Sequence, residues 1–167
     1  RLWQAQTRFG VRFPVYVVIT QCDRIPGFSS FARALPARQR DGMLGWSNPA
    51  DLEAGYQGAW AEQGIDSIVQ DIFAAQAELL AAGRVDDNVD AFVLFPAELA
   101  ATQAAVRAYL DQLFRPSAYH ETFYFRGIYL SGDAGLTAEA ENALNSLALD
   151  QALPAADGRV EPALLVD

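Results

Sequence analysis

The chain of 167 residues is 51% hydrophobic and carries a formal net charge of −9, and all 12 of its basic residues are arginine. A chain of this size and hydrophobicity can bury one core and has no compositional reason for disorder, while its acidic balance argues against binding nucleic acid through charge. The absence of lysine excludes a Schiff-base lysine and a Walker A lysine within these residues, and the lone Cys22 excludes an internal disulfide and a cysteine-built zinc cluster.

In chain order, Leu2 to Phe9 reads as the end of an amphipathic helix closed by Gly10, the residue type that best tolerates the left-handed conformation after a helix. Pro14 leads into Val15, Tyr16, Val17, Val18 and Ile19, a β-branched and aromatic run without alternation, which predicts a central strand covered on both faces. It is the longest strongly apolar run noted, far short of the ~20 residues of a membrane-spanning helix, so a soluble chain is expected. Pro26 and Gly27 mark a loop before a short helix over Ser29 to Leu35, which Pro36 interrupts. Residues Arg38 to Tyr56, with three glycines, Pro49 and Trp46, predict irregular surface structure.

From Trp60 to Ala82 the spacing of Ile65, Ile68, Val69, Ile72 and Leu79 predicts a helix, stopped by Gly83. Ala91 to Phe95 reads as a second buried strand ending at Pro96, followed by a helix with Leu99, Val106, Leu110 and Leu113 on one face, running to about Phe114. A third strand is expected at Phe123 to Leu130, then a turn at Ser131, Gly132, Asp133 and Gly135. Thr137 can cap a last helix to about Ala148, before a tail punctuated by Pro154, Gly158 and Pro162. The alternation of strands and helices implies an α/β architecture. The organisation expected is one main domain over 1–135 and a helix with a tail over 136–167.

Chemistry concentrates at Thr20, Gln21, Cys22 and Asp23, directly after the first strand, because ligands of open α/β sheets gather at the carboxyl ends of strands. An aspartate there can accept two hydrogen bonds from a guanine edge; the alternative is that Asp23 caps the following turn through backbone amides. Thr20 would brace the loop, and Cys22 would point into the core as a small inert residue. His120, the sole histidine, reads as a surface or hinge hydrogen-bonding group. Asp86, Asp87 and Asp90 lack EF-hand spacing and read as a solvated turn. Ser131 and Gly132 lack the frame of a nucleophile elbow. No catalytic residue is assigned.

Three blocks carry a family resemblance. The first is Pro14 through Asp23 with Ile25, Pro26, Gly27 and Phe28; the second is Phe92 to Pro96. The third is Leu113, Phe114, Arg115, Pro116 and Ser117 through Tyr119, followed by Phe125, Arg126, Gly127, Ile128, Tyr129, Leu130, Ser131 and Gly132. In this order they resemble the cytoplasmic region of the TssM (IcmF) family, the inner-membrane scaffold of bacterial type VI secretion systems. Gln21 stands where that family usually has lysine.

The resemblance implies the later part of a small-GTPase-like, P-loop NTPase-like parallel sheet with helices and a helical extension. It implies a segment on the cytoplasmic side of a larger, homo-oligomeric inner-membrane protein. That segment would dock TssL and the baseplate protein TssK, while TssJ would meet other regions of the parent and no nucleic acid would take part. Thr20, Gln21 and Asp23 would be the remnant of a base-reading loop. Any ATP or GTP would bind the intact parent, whose phosphate loop would lie upstream of Arg1; no cofactor is expected within the fragment.

Overall fold

The computed structural model describes residues 2–10, 13–40, 42–51, 54–85, 88–115 and 123–134. The chain divides into two compact units, Arg1–Ala134 and Gly135–Asp167, and every described residue belongs to the first. The helix expected from Thr137, the tail, His120, Asp86 and Asp87 lie outside the described residues.

A three-stranded mixed sheet holds the first unit together. β1 (Pro14–Ile19) and β3 (Tyr124–Leu130) pair in parallel, from Pro14 opposite Tyr124 to Ile19 opposite Leu130, with a shift of register between Val15 and Tyr16. β2 (Leu44–Ser47) pairs antiparallel with the other side of β3, giving the order β1-β3-β2. The central strand is therefore β3, with Phe125, Gly127, Ile128 and Leu130 buried, and not β1 as its composition predicts. β1 alternates instead. Val15, Val17 and Ile19 turn to the core while Tyr16 and Val18 stay 53% and 55% exposed. A run of β-branched residues suits either setting, and only the neighbours decide which it has. β2 occupies part of the stretch expected to be irregular. It is four residues long and includes Gly45, whose missing side chain leaves room for the Ile128 carbonyl, and so short a strand gives little propensity signal.

Helices cover the core side. α1 (Leu2–Phe9) ends at Gly10, which adopts φ 62° and returns its N–H to the Gln6 carbonyl at 2.8 Å. α2 (Phe28–Ala34) stops ahead of Pro36, and a single turn, α3 (Ala37–Arg40), follows. α4 (Ala59–Ala81) buries Ala61, Ile65, Ile68, Ile72 and Leu79 along one stripe. It closes with Gly83 at φ 63°, where Arg84 N–H bonds Leu79 O at 3.0 Å and Gly83 N–H bonds Leu80 O at 3.1 Å, the paired bonds of a Schellman end.

The strand expected at Ala91 to Phe95 is overturned: these residues lie in α5 (Val89–Ala101), and α6 (Gln103–Leu113) follows after Thr102. Asn88 caps α5, its side chain accepting the Ala91 N–H at 3.1 Å. Phe92, Phe95, Pro96 and Leu99 recur at helical spacing and are all buried. Pro96 inside the helix has no N–H for the Phe92 carbonyl four residues back. Gln76 of α4, itself buried, donates its side-chain amide to that carbonyl instead, so the proline is accommodated without an orphaned acceptor. Together α5 and α6 make a helical stretch, Val89–Leu113, that is long and apolar enough by length and composition to cross a membrane. The expectation that no such stretch exists is thereby corrected. Its Phe92, Phe95, Leu99 and Leu110 belong to the core packed with α2 and α4.

Candidate functional site

The carboxyl ends of β1 and β3 meet in a clasp made chiefly of backbone. Ser131 N–H bonds Ile19 O at 2.8 Å and Cys22 N–H bonds Ser131 O at 3.1 Å, which prolongs the parallel ladder past both strands. Gln21 takes a left-handed conformation, φ 60°, and turns the chain into a 3-10 turn over Cys22–Arg24. Asp23 then reaches across, its Oδ1 accepting the Asp133 N–H at 3.2 Å, while Ser29 Oγ donates to the Asp133 carbonyl at 3.2 Å. Gly132 lets the two loops approach: a Cβ there would stand 2.7 Å from Asp23 N, 3.0 Å from Cys22 N and 2.8 Å from the Phe28 ring.

Thr20, Gln21 and Asp23 all lie exposed on this rim. Asp23 does hold a backbone amide, as the turn-capping alternative has it, but the amide belongs to the loop after β3, 110 residues away. Cys22 turns into the core as expected, at 1% exposure, with its thiol directed at Ile19 O at 3.2 Å. Burial pushes its pKa up; hydrogen bonding to the Ser131 backbone opposes this, and the charge of Asp23 adds to it. A thiol held protonated in this way is a poor nucleophile.

Trp46 and Tyr56, two aromatics of the segment expected to be irregular, pack on the core. The Trp46 ring lies over Gly64, where a Cβ would come within 2.9 Å of it, and stands 6.2 Å from the Phe125 ring. Tyr56 stacks on Phe114 with centroids 5.0 Å apart and meets Phe125 edge-on at 5.5 Å. Its hydroxyl donates to Asp111 Oδ1 at 3.0 Å, and burial followed by that bond holds its pKa well above the usual tyrosine range. Asp111 also borders a shallow groove between α4 and α6 whose charges pair among themselves. Arg107 contacts Glu62 and, at 3.5 Å, Asp111, while Gln103 donates to Asp66 Oδ1 at 2.7 Å.

Three polar groups that shape these features carry little signal in the sequence. Asn48 is buried between β2 and β3, its side chain donating to Phe125 O at 3.1 Å and accepting from Ala50 N at 3.0 Å. Gln76 donates to the Phe92 carbonyl, and Asp133 donates its backbone N–H to Asp23. For each of the three, one partner lies at least 16 residues away in sequence. The single available signal is that an amide side chain on the apolar stripe of a helix, such as Gln76 between Ile72 and Leu79, needs a buried partner.

Among known proteins, residues 1–163 match the family model of the IcmF-related N-terminal domain. Over 150 residues, 89% of this chain, the sequence is 27% identical to the type VI secretion system component TssM1 of Pseudomonas aeruginosa, and the chain spans 14% of that protein's length. No solved structure matches significantly.

Proposed function

Because this chain belongs to the TssM (IcmF) family, as an IcmF-related N-terminal domain, we propose that it is a docking segment of a type VI secretion membrane complex. On this reading it lies on the cytoplasmic side of an inner-membrane, homo-oligomeric parent and presents a rigid surface to TssL and the baseplate protein TssK. The GTPase-like architecture belongs to the same reading. One observation carries it: the loops after β1 and β3 are bonded to each other, Asp23 Oδ1 accepting the Asp133 N–H and Cys22 N–H donating to Ser131 O. A clasp of this kind supports a fixed surface better than an exchangeable ligand. Chemical cross-linking of the full-length protein with the cytoplasmic domain of TssL and with TssK tests it. Cross-links to at least one of them from residues 1–134 are expected, and capture of neither by the folded protein removes the proposal.

A second reading is favoured by position. Thr20, Gln21 and Asp23 are exposed at the carboxyl ends of two parallel strands, where nucleotides bind in open α/β sheets. On that reading the intact parent binds ATP or GTP through a phosphate loop outside this chain, and Asp23 contacts the base. Titration of the full-length protein and its Asp23→Ala variant with fluorescent mant-nucleotides decides it. Weaker binding by the variant supports the reading, and equal binding takes Asp23 out of the site.

A further inference from the structure

A helix that is apolar on most of its sides is ordinarily surrounded by protein or lipid. Val89–Leu113 departs from this: it is long and apolar enough to cross a membrane, yet only 22% of its apolar window is buried. Phe92, Phe95, Leu99 and Leu110 face the core, while Val93, Leu94, Tyr109 and Leu113 stay exposed. Thr102 keeps right-handed helical angles, φ −79° and ψ −14°, so the facing of side chains carries on from α5 into α6.

The outer side repeats at alternating steps of four and three residues, the spacing of a seam that packs along another helix. Ala97, Ala101, Ala104 and Ala108 form its middle, all exposed, and side chains this small let two helix axes approach to about 8 Å. Leu94 precedes them, and Asp90 and Arg115 stand at the two ends. The side chains of Asp90, Glu98 and Arg115 have no hydrogen-bond or ion-pair partner among the described residues.

These charges select both an occupant and a direction. In an antiparallel pair of two such stretches, centred between Thr102 and Gln103, Asp90 stands opposite Arg115 of the second copy at both ends. Ala97 then faces Ala108, Ala101 faces Ala104, and on one flank Glu98 comes beside the Tyr109 hydroxyl. Asp111, on the same seam, meets Leu94 and keeps its own bonds to Tyr56 and Arg107. A parallel pair sets Asp90 on Asp90, Glu98 on Glu98 and Arg115 on Arg115, an arrangement that like-charge repulsion disfavours.

We propose that the outer side of α5 and α6 is a self-complementary surface that pairs antiparallel with the same surface of a second copy. This rests on the proposed function only in taking the parent to be homo-oligomeric. The test is disulfide trapping in the full-length protein carrying both Ala97→Cys and Ala108→Cys. Within one copy these positions lie about 16 Å apart along the helix, beyond the reach of a disulfide. Mild oxidation is expected to give a covalent dimer from the double variant, and from neither single variant beyond the background of the unsubstituted protein. Adding Asp90→Arg is expected to lower the yield at least about threefold, and adding Arg115→Asp as well to restore it. A dimer from Ala97→Cys alone shows a different alignment and overturns the proposal. So does the absence of a dimer from a double variant that melts like the parent, whether a lipid surface or another protein then shields the two thiols or water reaches them freely. If that protein is nonetheless oligomeric by mass, this contact falls and the proposed function stands.

Discussion

α4 meets two successive helices, and it holds them by opposite means. Against α5 the contacts are buried: Ile72, Leu79 and Gln76 of α4 belong with Phe92, Phe95 and Leu99, and the amide of Gln76 replaces the bond that Pro96 cannot make. On its other side α5 meets the loop before α2 so closely that a Cβ on Gly27 would run into the Ala91 carbonyl. Against α6 a single apolar residue, Leu110, is fully buried among the described residues of that helix, Val106 packs half-buried on the core, and beside them runs an exposed network of Glu62, Asp66, Gln103, Arg107 and Asp111. A seat made of backbone atoms and core rings cannot adjust without loss. One made of solvated side chains can.

The largest effect that would break this comparison belongs to Gly27. It sits at φ 87°, and a Cβ would also come within 2.8 Å of Phe95 Cβ, so Gly27→Ala faces both backbone strain and a clash with a helix that cannot recede. A loss of about 3 kcal/mol or more in urea unfolding is expected, by addition of the strain and overpacking terms. A loss below about 1 kcal/mol, within the reach of ordinary surface changes, would show that α5 is not rigidly seated.

Gln76→Leu keeps the volume of the side chain but leaves the Phe92 carbonyl buried and unpaired beside Pro96. Unfolding free energy should fall by about 1–3 kcal/mol, the penalty for an unmet buried acceptor. The double variant with Pro96→Ala sharpens the point, since alanine restores the helix's own N–H to that carbonyl. Recovery of part of the loss is expected, and strict additivity would show that the two residues do not share the acceptor.

That same pair explains how far the sequence could be read. α4, α1 and the ends at Gly10 and Gly83 are local matters of period and left-handed glycine, and they are found as expected. Ala91 to Phe95 is misread because a short apolar run followed by proline is locally indistinguishable from a strand end, and the group that makes the proline tolerable comes from another helix. The position of β1 at an edge and the existence of β2 likewise depend on β3, more than 70 residues further along. At the clasp, Thr20 to Asp23 is legible as a loop at the end of a strand. Its engagement by Asp133 is not, because nothing near Asp23 in the chain names its acceptor role.

Tyr56→Phe tests the border between the two seats, since its ring packs on Phe114 and Phe125 while its hydroxyl reaches Asp111 of α6. Loss of that hydrogen bond should cost about 0.5–1.5 kcal/mol near neutral pH. The pH dependence gives the sharper reading. The folded pKa of Tyr56 is raised, by burial first and by Asp111 second. Its contribution is therefore fully present below the unfolded tyrosine value of about 10 and is lost as pH rises beyond it. The variant's stability should fall less steeply in that alkaline range than the parent's. Parallel curves would place Tyr56 outside the network.

Arg107→Ala carries the smallest expected effect and the cleanest test of the exposed seat. Glu62 and Asp111 flank the guanidinium, and the bond with Glu62 is the main reason that its pKa is raised, so the group stays charged at any pH where the protein folds. The geometry looks strong, yet all three side chains are in contact with water, where ordering long side chains and screening by salt offset the attraction. The melting temperature in physiological salt should match that of the parent within error. If it fell as far as in Gln76→Leu, the groove between α4 and α6 would be a structural joint rather than a solvated surface. If it did not, α6 is the helix that can shift or accept a partner's charges while α5 and the clasp stay in place.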